Sequence, residues 1–537
     1  MRFEVWAPRA RSLELEIGGR RLPMAAGERG WYSAQAEAPH GTDYAYIVDR
    51  DRLPDPRSPW QPAGVHGPSR TVEHDRFQWH DGDWHCPPLP DLVLYELHTG
   101  TFSPAGTFEG VVERLDQLVD LGVGGIELMP VAEFAGDRGW GYDGVDLWAP
   151  HHAYGGPDGL KRLVDAAHGR GLAVVLDVVY NHFGPEGNYL SRFGPYQTGR
   201  YTTPWGDALN FDGRDSGPVR DFCVENAQMW LRDYHVDGLR LDAVHAIFDR
   251  SALHILEELR ARTPSGRFLI AESDLNDPRL VTPVERGGYG LDAEWADDVH
   301  HAVHTLLTGE RRGYYRDFGS PEQLAKALRG AYVYDGIYSE HRARRHGRAH
   351  ALSGRKFVAC SQNHDQVGNR ALGERSAALM SPARLKMAAA LILCGPFVPL
   401  LFMGEEWAAS TPFLYFSSHT DPDVARATSA GRVRDFGAFG WRPEQVPDPQ
   451  SEATMEASRL RWDERAQGVH GELLDWYRGL LRLRQALPDV RAGNLDQVEV
   501  EIEGARLRMR NGPVSVTCDL EADSVEVSPP PEKFFPG

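Results

Sequence analysis

No stretch of the sequence approaches the roughly 20 continuous apolar residues needed to span a bilayer, which excludes a helical membrane protein. The opening residues, MRFEVWAPRA, have no apolar core of the kind a secretory signal carries, so a cytoplasmic location is expected. Cysteine is scarce. Cys86, Cys223, Cys360, Cys394 and Cys518 are scattered, odd in number and never in a CxxC pair, which points to reduced thiols and away from a structural zinc site. Basic residues are outnumbered 58 to 77, for a formal charge of −19. Such a surface repels phosphate backbones and anionic lipid, so neither nucleic acid nor a membrane is an expected partner; a neutral substrate meets no such barrier. HxH and HExxH spacings are missing too, and no catalytic metal or other cofactor is expected.

What is present is the composition of a soluble globular chain, long enough for a large domain with appendages. Its 54 aromatic residues would suit stacking on sugar rings, although core filling is the plainer reading of any one of them. Residues 1–85 run in short period-two stretches, FEVWAP, LELEIGG, WYSAQAEA and DYAYIVD, broken by Gly, Pro and Asp; they predict an N-terminal β-sandwich. The proline-rich CPPLPD at 86–91 marks a boundary. From there to about 480, apolar strand-like runs alternate with helical patterns: LVLYEL, GGIELMP, LAVVLDVV, DGLRLD, RFLIAE, GLDAEW, KFVACSQ and PFVPLLF. Eight such strands predict an α/β fold of the (β/α)₈ barrel type. An open doubly wound sheet would want a glycine-rich loop after its first strand, and LYELHTGTF is not one. Long excursions interrupt the alternation at 183–216 and about 310–354, lengths usually reserved for functional or mobile loops. Residues 481–537 predict a small C-terminal β-module, short for a full sandwich, with PPPEKFFPG as a loose end.

Four strand-like segments stop at charged residues: DVVYNH (177–182), GLRLDAVH (238–245), LIAESD (269–274) and SQNHDQ (361–366). Burying a carboxylate is costly unless partners or solvent wait for it, and barrel enzymes gather such residues at the C-terminal ends of their strands. Asp242, Glu272 and Asp365 form the chemical core of this reading. Cleaving a glycosidic bond passes through an oxocarbenium-like state and takes one carboxylate at carbon and one protonated carboxyl at the leaving oxygen. Arg240 and Asp242 are two apart on one strand, hence on the same face, where the guanidinium keeps the carboxylate ionised and oriented. Glu272 leaves an apolar strand, where desolvation raises its pKa toward that of a general acid. Asp365 stands beside His364, and both bond readily to vicinal hydroxyls. Taken singly, each carboxylate could equally sit in a structural ion pair.

Together YNHFGP, GLRLDAVH, AESDLNDPR and SQNHDQVGNR resemble the four motif regions of the α-amylase superfamily of glycoside hydrolases. The likeness extends to GWGYDGVDLWAPHHAYG (139–155), WADDVHH (295–301), GEEWAASTPF (404–413) and FGAF (436–439), and is strongest to members acting on maltooligosyltrehalose. It implies a retaining hydrolase with Asp242 as nucleophile, Glu272 as general acid/base and Asp365 stabilising the transition state. By the same resemblance the substrate is held by Tyr142, His182, Arg240, Leu241, Ala243, Val244 and His245. Asp297, Asp298, His300 and His301, then His364, Gln366, Val367, Gly368 and Asn369, complete the expected set. Asp297 and its neighbours could also be no more than an acidic helix start. The implied reaction cuts the α-1,4 bond next to a terminal trehalose, with functional pairing to a synthase that makes the substrate. Two alternatives stay open: a glucan branching enzyme, or a non-catalytic glucan-binding protein.

Overall fold

The computed structural model describes residues 1–437 and 442–534; Ala438 and Phe439 of the FGAF segment lie outside the described residues, as do the last three residues of the tail. Eight parallel strands close into a barrel: β1 (Leu94–Leu97), β2 (Gly125–Leu128), β3 (Ala173–Val178), β4 (Gly238–Leu241), β5 (Phe268–Ala271), β6 (Ala293–Trp295), β7 (Phe357–Cys360) and β8 (Val398–Phe402), with β8 pairing β1. All of these residues are buried, as expected of parallel strands covered on both faces. Alternation sorts them. Leu94, Val175, Ile270, Val358 and Leu400 belong to one apolar cluster, while Leu128, Leu176, Leu239 and Leu269 join the larger core shared with the surrounding helices. The helix Gly156–His168 shows why the shell forms. Leu160, Leu163, Val164 and Ala167 fall on one face at helical spacing and are all buried, and Pro157 sits in the first turn, where no N–H is needed.

At the N-terminus a three-stranded sheet (Arg2–Trp6, Trp31–Gln35, Ala25–Ala26) faces a five-stranded one built on Leu13–Ile17 and Asp43–Val48. In LELEI the leucines and isoleucine are buried and the glutamates are not, the period of two that predicts a half-buried strand. The segment leading from this unit crosses to the barrel and is tied down there. Asp81 accepts from His168 Nδ1 and His235 Nδ1, each at 2.8 Å. His168 Nε2 lies 2.9 Å from Asp237, whose other oxygen accepts the Trp84 indole at 2.9 Å, and Trp84 stacks on the His168 ring.

The helix Gly468–Ala486 runs across the boundary expected at 480, and the C-terminal sheet itself begins at Glu499. That sheet has four antiparallel strands, Glu499–Glu503, Arg506–Asn511, Val514–Asp519 and Ser524–Ser528, and among the described residues no second sheet lies over it. Its buried face, with Leu507, Met509, Val514, Val516, Cys518 and Val527, lies against the helix Pro382–Leu393. Its outer face pairs Glu499, Glu501 and Glu503 with Arg510, Arg508 and Arg506. Burial of a large apolar side chain contributes about 1.5–3 kcal/mol, and an exposed ion pair about 0–1 kcal/mol. The apolar face therefore holds the unit on the barrel, and the barrel helix takes the place of a second sheet.

Candidate active site

Inward alternation places Arg240 of β4 in the barrel interior, fully buried, with Asp177 of β3 beside it in register. Arg240 Nη1 donates to Asp177 at 2.7 Å and to Asp242 Oδ1 at 2.8 Å, while Nη2 lies 3.6 Å from Glu272. The guanidinium rests on the Trp295 ring at 4.3 Å. One cation thus serves three carboxylates from three strand ends. The other oxygen of Asp242 accepts from Asn181 Nδ2 at 2.7 Å, so both oxygens are held and the carboxylate cannot turn.

Ala243, the next residue, sits in the left-handed region at φ 39°, a strained conformation for a residue with a Cβ. That turn aims its N–H at Glu272 Oε2, 2.5 Å away. Burial raises the Glu272 pKa above the ordinary carboxyl value; Arg240 opposes this, and the Asp242 and Asp365 charges add to it. A carboxyl so placed holds its proton to higher pH than an exposed one.

Asp365 opens the short helix His364–Gly368, capped by Asn363, whose side chain accepts the Asp365 N–H at 2.9 Å while Gln366 returns a bond to the Asn363 N–H. Its side chain is 44% exposed, against 13% for Glu272 and 10% for Asp242, so it is the most open of the three. His364 is gripped by Glu96 of β1, at 2.5 Å from Nδ1 and 3.0 Å from the backbone N–H. Its Nε2 faces the Tyr142 hydroxyl at 2.8 Å, and that hydroxyl donates to Asp177 at 2.7 Å. Burial works against a charge on His364, but Asp365 and Glu96 outweigh it and lift the pKa to about 9, so both ring nitrogens donate. Asp177 is raised to about 7 by burial, with Arg240 pulling the other way. Gly141 sets Tyr142 in place. Its φ is +100°, and a Cβ there would stand 2.0 Å from the Pro130 carbonyl oxygen.

Asp242, Glu272 and Asp365 line one cleft of about 680 Å³ at the C-terminal ends of the strands. Of the other expected residues, Tyr142, His182, Ala243, His245, Asp297, His301, His364, Gln366 and Asn369 line it as well. Leu241, Val244, Val367 and Gly368 do not; all four are buried. Arg240 lies beneath the floor. Asp298 and His300 turn away from the cleft: Asp298 accepts from Asn276 and from the Val333 and Tyr334 N–H groups, and His300 bonds to the Ser361 carbonyl and the Tyr315 hydroxyl. The helical turn after Ala296 cannot point all four of these side chains, spread over five positions, at one opening, so Asp297 and His301, at i and i+4, take it.

The lining also includes residues outside the expected set. Trp140 and Asp143 flank Tyr142 in the quoted GWGYD motif. Trp205, 49% exposed and stacked on His182 at 4.8 Å, comes from the 183–216 excursion. Tyr314, His341 and Arg342 come from the second excursion, and Thr428, Gly431 and Arg432 from the helix Pro422–Gly437. Only the unusual lengths of the two excursions signalled the first groups in advance. A larger groove, about 1060 Å³, runs between the helix Pro321–Gly330 and the edge of the C-terminal sheet, but none of the three carboxylates reaches it.

Among the described residues one histidine–glutamate group is close enough to hold an ion: Glu133, His151 and His152. Its donors are already engaged. Glu133 bonds to the ring and backbone of His152 at 2.6 and 2.8 Å, and His151 Nδ1 accepts the Ala153 N–H at 3.0 Å, which leaves the neutral ring's proton on Nε2 rather than a free lone pair. The group is a loop clasp, and none of its members lines the cleft.

The alpha amylase catalytic domain family matches residues 72–203. A malto-oligosyltrehalose trehalohydrolase of Arthrobacter ramosus is 49% identical, over 98% of this chain and 94% of its own length. One from Deinococcus radiodurans is 45% identical, over 91% and 81%. A 1,4-alpha-glucan branching enzyme of Pseudoalteromonas atlantica reaches 29% over 62% of this chain and 52% of its own. Among solved structures, a putative alpha amylase from Salmonella typhimurium superposes with a TM-score of 0.90 at 40% identity, covering 96% of this chain and 90% of that one. With eight barrel strands, three strand-end carboxylates in one cleft and relatives matched along nearly their whole length, the chain belongs to the malto-oligosyltrehalose trehalohydrolase family of α-amylase-type glycoside hydrolases.

Proposed function

We propose that this protein hydrolyses the α-1,4-glucosidic bond next to the terminal trehalose of maltooligosyltrehalose, releasing trehalose and a shortened maltooligosaccharide with retention of configuration. Asp242, ionised and fixed by Arg240 and Asn181, attacks the anomeric carbon while Glu272 gives its proton to the departing oxygen. A glycosyl ester to Asp242 forms as the glycosidic bond breaks. Water then attacks the anomeric carbon, Glu272 takes a proton from the water, and the bond from that carbon to Asp242 breaks, so that Asp242 leaves as carboxylate. Asp365 and the ionised Asp242 face the positive charge that develops on the ring between these states, which is where preorganised anions contribute most. Tyr142, His182 and Trp205 offer aromatic surface to the bound sugar.

The observation that carries this reading is the division of labour around Arg240. One carboxylate is held by cation and amide on both oxygens, while the next is desolvated and kept acidic. The 49% identity to a trehalohydrolase against 29% to a branching enzyme favours water over a second glucan as acceptor. The intact trio of carboxylates in an open cleft supports catalysis over passive glucan binding. Pairing with a synthase that supplies maltooligosyltrehalose, and a cytoplasmic location, belong to the same proposal. The five cysteines, all free, support the latter, and no helix among the described residues is long and apolar enough to cross a membrane. Incubation with maltotriosyltrehalose should yield free trehalose and maltotriose, and proton NMR should show the α-anomer of maltotriose first. New branch points on amylose without trehalose release, or first appearance of the β-anomer, would overturn the assignment.

A further inference from the structure

Glu186 is almost fully buried, yet it belongs to neither the catalytic group nor the cleft lining. It sits at the start of the excursion that follows β3, the same excursion that carries Trp205. Its carboxylate accepts the backbone N–H groups of Thr420 and Asp421, both at 3.0 Å, and the Thr420 hydroxyl. Two histidines face it: His66 Nε2 at 3.3 Å, from the segment that leads out of the N-terminal sandwich, and His419 Nδ1 at 3.3 Å. The far side of the His419 ring, Nε2, lies 3.9 Å from Asp143, which lines the cleft.

Thr420 and Asp421 immediately precede the helix Pro422–Gly437, and Asp421 accepts the Asp423 N–H at 2.7 Å as its cap. Three residues of that helix, Thr428, Gly431 and Arg432, form part of the cleft wall, and Arg432 Nη2 reaches the Gly368 carbonyl at 2.9 Å beside the Asp365 helix. One carboxylate thus joins the excursion after β3 to the helix after β8, two segments distant in sequence that wall the same cleft. Charge-assisted bonds to a buried acceptor are the strong kind, and an anion just ahead of a helix is well placed for its dipole.

We infer that Glu186 is a positioning residue: by fixing the start of the helix Pro422–Gly437 against the excursion after β3, it sets the spacing of the cleft walls and so the fit of an oligosaccharide that extends beyond the ring being cleaved. The inference rests on the glucan reading of the cleft. An amide at this position keeps the size and one acceptor oxygen but sets an NH2 group against the N–H of either Thr420 or Asp421, so Glu186→Gln should loosen the junction without emptying it.

The test compares two substrates. α-Glucosyl fluoride needs only the ring site and the carboxylates; maltotriosyltrehalose needs the walls. In Glu186→Gln, kcat on the fluoride should stay within twofold of wild type, while KM for maltotriosyltrehalose rises about tenfold. Thr420→Val, which removes only the hydroxyl, should move KM the same way by less, and it carries the test if Glu186→Gln does not fold. An unchanged KM in both variants overturns the inference. So does a parallel fall of activity on both substrates together with thermal stability, since that is what a merely structural residue gives. Wild-type protein that turns over the fluoride but not maltotriosyltrehalose would overturn the proposed function instead, and the same KM comparison would then be run on maltoheptaose.

Discussion

Arg240 balances the charges of the site residue by residue. Asp177, Asp242 and Glu272 all lie within reach of one buried cation, and three like charges so close cannot all be ionised without it. Asp242→Asn keeps the shape and the Asn181 contact but removes the attacking group, so turnover should fall about 10⁴-fold, about 5.4 kcal/mol of lost transition-state stabilisation, with little change in the thermal midpoint. In the proposed mechanism Glu272 controls the basic side of the pH profile. Its pKa is raised by burial first, so the acid form, the one that protonates the leaving oxygen, persists above the ordinary value of about 4.3 and is lost as pH rises through the folded-state value. Asp365 is one of the charges that raise it. In Asp365→Asn the basic limb of kcat/KM should therefore move to lower pH; a limb that stays put or moves up would remove Asp365 from that role.

At the scale of elements, the segment between sandwich and barrel depends on His168, which stands at the end of the helix Gly156–His168 between Asp81 and the buried Asp237. Burial works to raise both carboxyls, but His235 and His168 at Asp81, and His168 with Trp84 and Arg267 at Asp237, outweigh it and hold both below the usual range. Groups depressed in the folded state add stability above their unfolded value, about 3.9 for aspartate, and that stability is lost as pH falls through the folded value. His168→Ala should cost about 2–4 kcal/mol in urea unfolding at pH 7, because it leaves a buried carboxylate short of a partner, and the cost should shrink below pH 4. Gly141 is the matching test inside the cleft. Gly141→Ala meets both a positive φ and the Pro130 carbonyl, so Tyr142 must shift and activity should drop without loss of the barrel's circular dichroism.

For the whole molecule, the acidic surface and the neutral substrate class are consistent with each other. Association with an uncharged oligosaccharide gains nothing from steering, so kcat/KM on maltotriosyltrehalose should vary less than about twofold between 0.05 and 0.5 M salt, where a charged ligand would lose much more. The C-terminal sheet has the opposite dependence on its surroundings: its apolar face is covered only by the barrel. Ending the chain after Asn494 should expose the helix Pro382–Leu393 and give an aggregating protein rather than a shorter active one, read by light scattering on expression.

The eight strands were legible as short, mostly apolar runs, because a parallel strand buried on both faces admits few polar residues, and β1 to β8 fall within those runs. Asp242, Glu272 and Asp365 were legible for the converse reason: a carboxylate ending such a run needs a partner or a purpose. The resemblance of the quoted motifs supplied the roles expected of them. What local pattern could not show was direction. WADDVHH offered four polar residues in five positions, and only the helix starting at Asp297 decided that Asp297 and His301 face the cleft while Asp298 and His300 turn into hydrogen bonds behind it. Trp205 and Arg342 were signalled only by the lengths of their excursions and Arg432 not at all, since irregular excursions and a polar helix have no periodicity to read. Sequence by itself determined the alternation, the strand-end acids and the net charge, because each is read from residue identities and near neighbours alone. The walls of the cleft and the Glu186 junction were decided by tertiary structure alone, because they join segments more than 200 residues apart, and no local pattern encodes which distant backbone a buried carboxylate will meet.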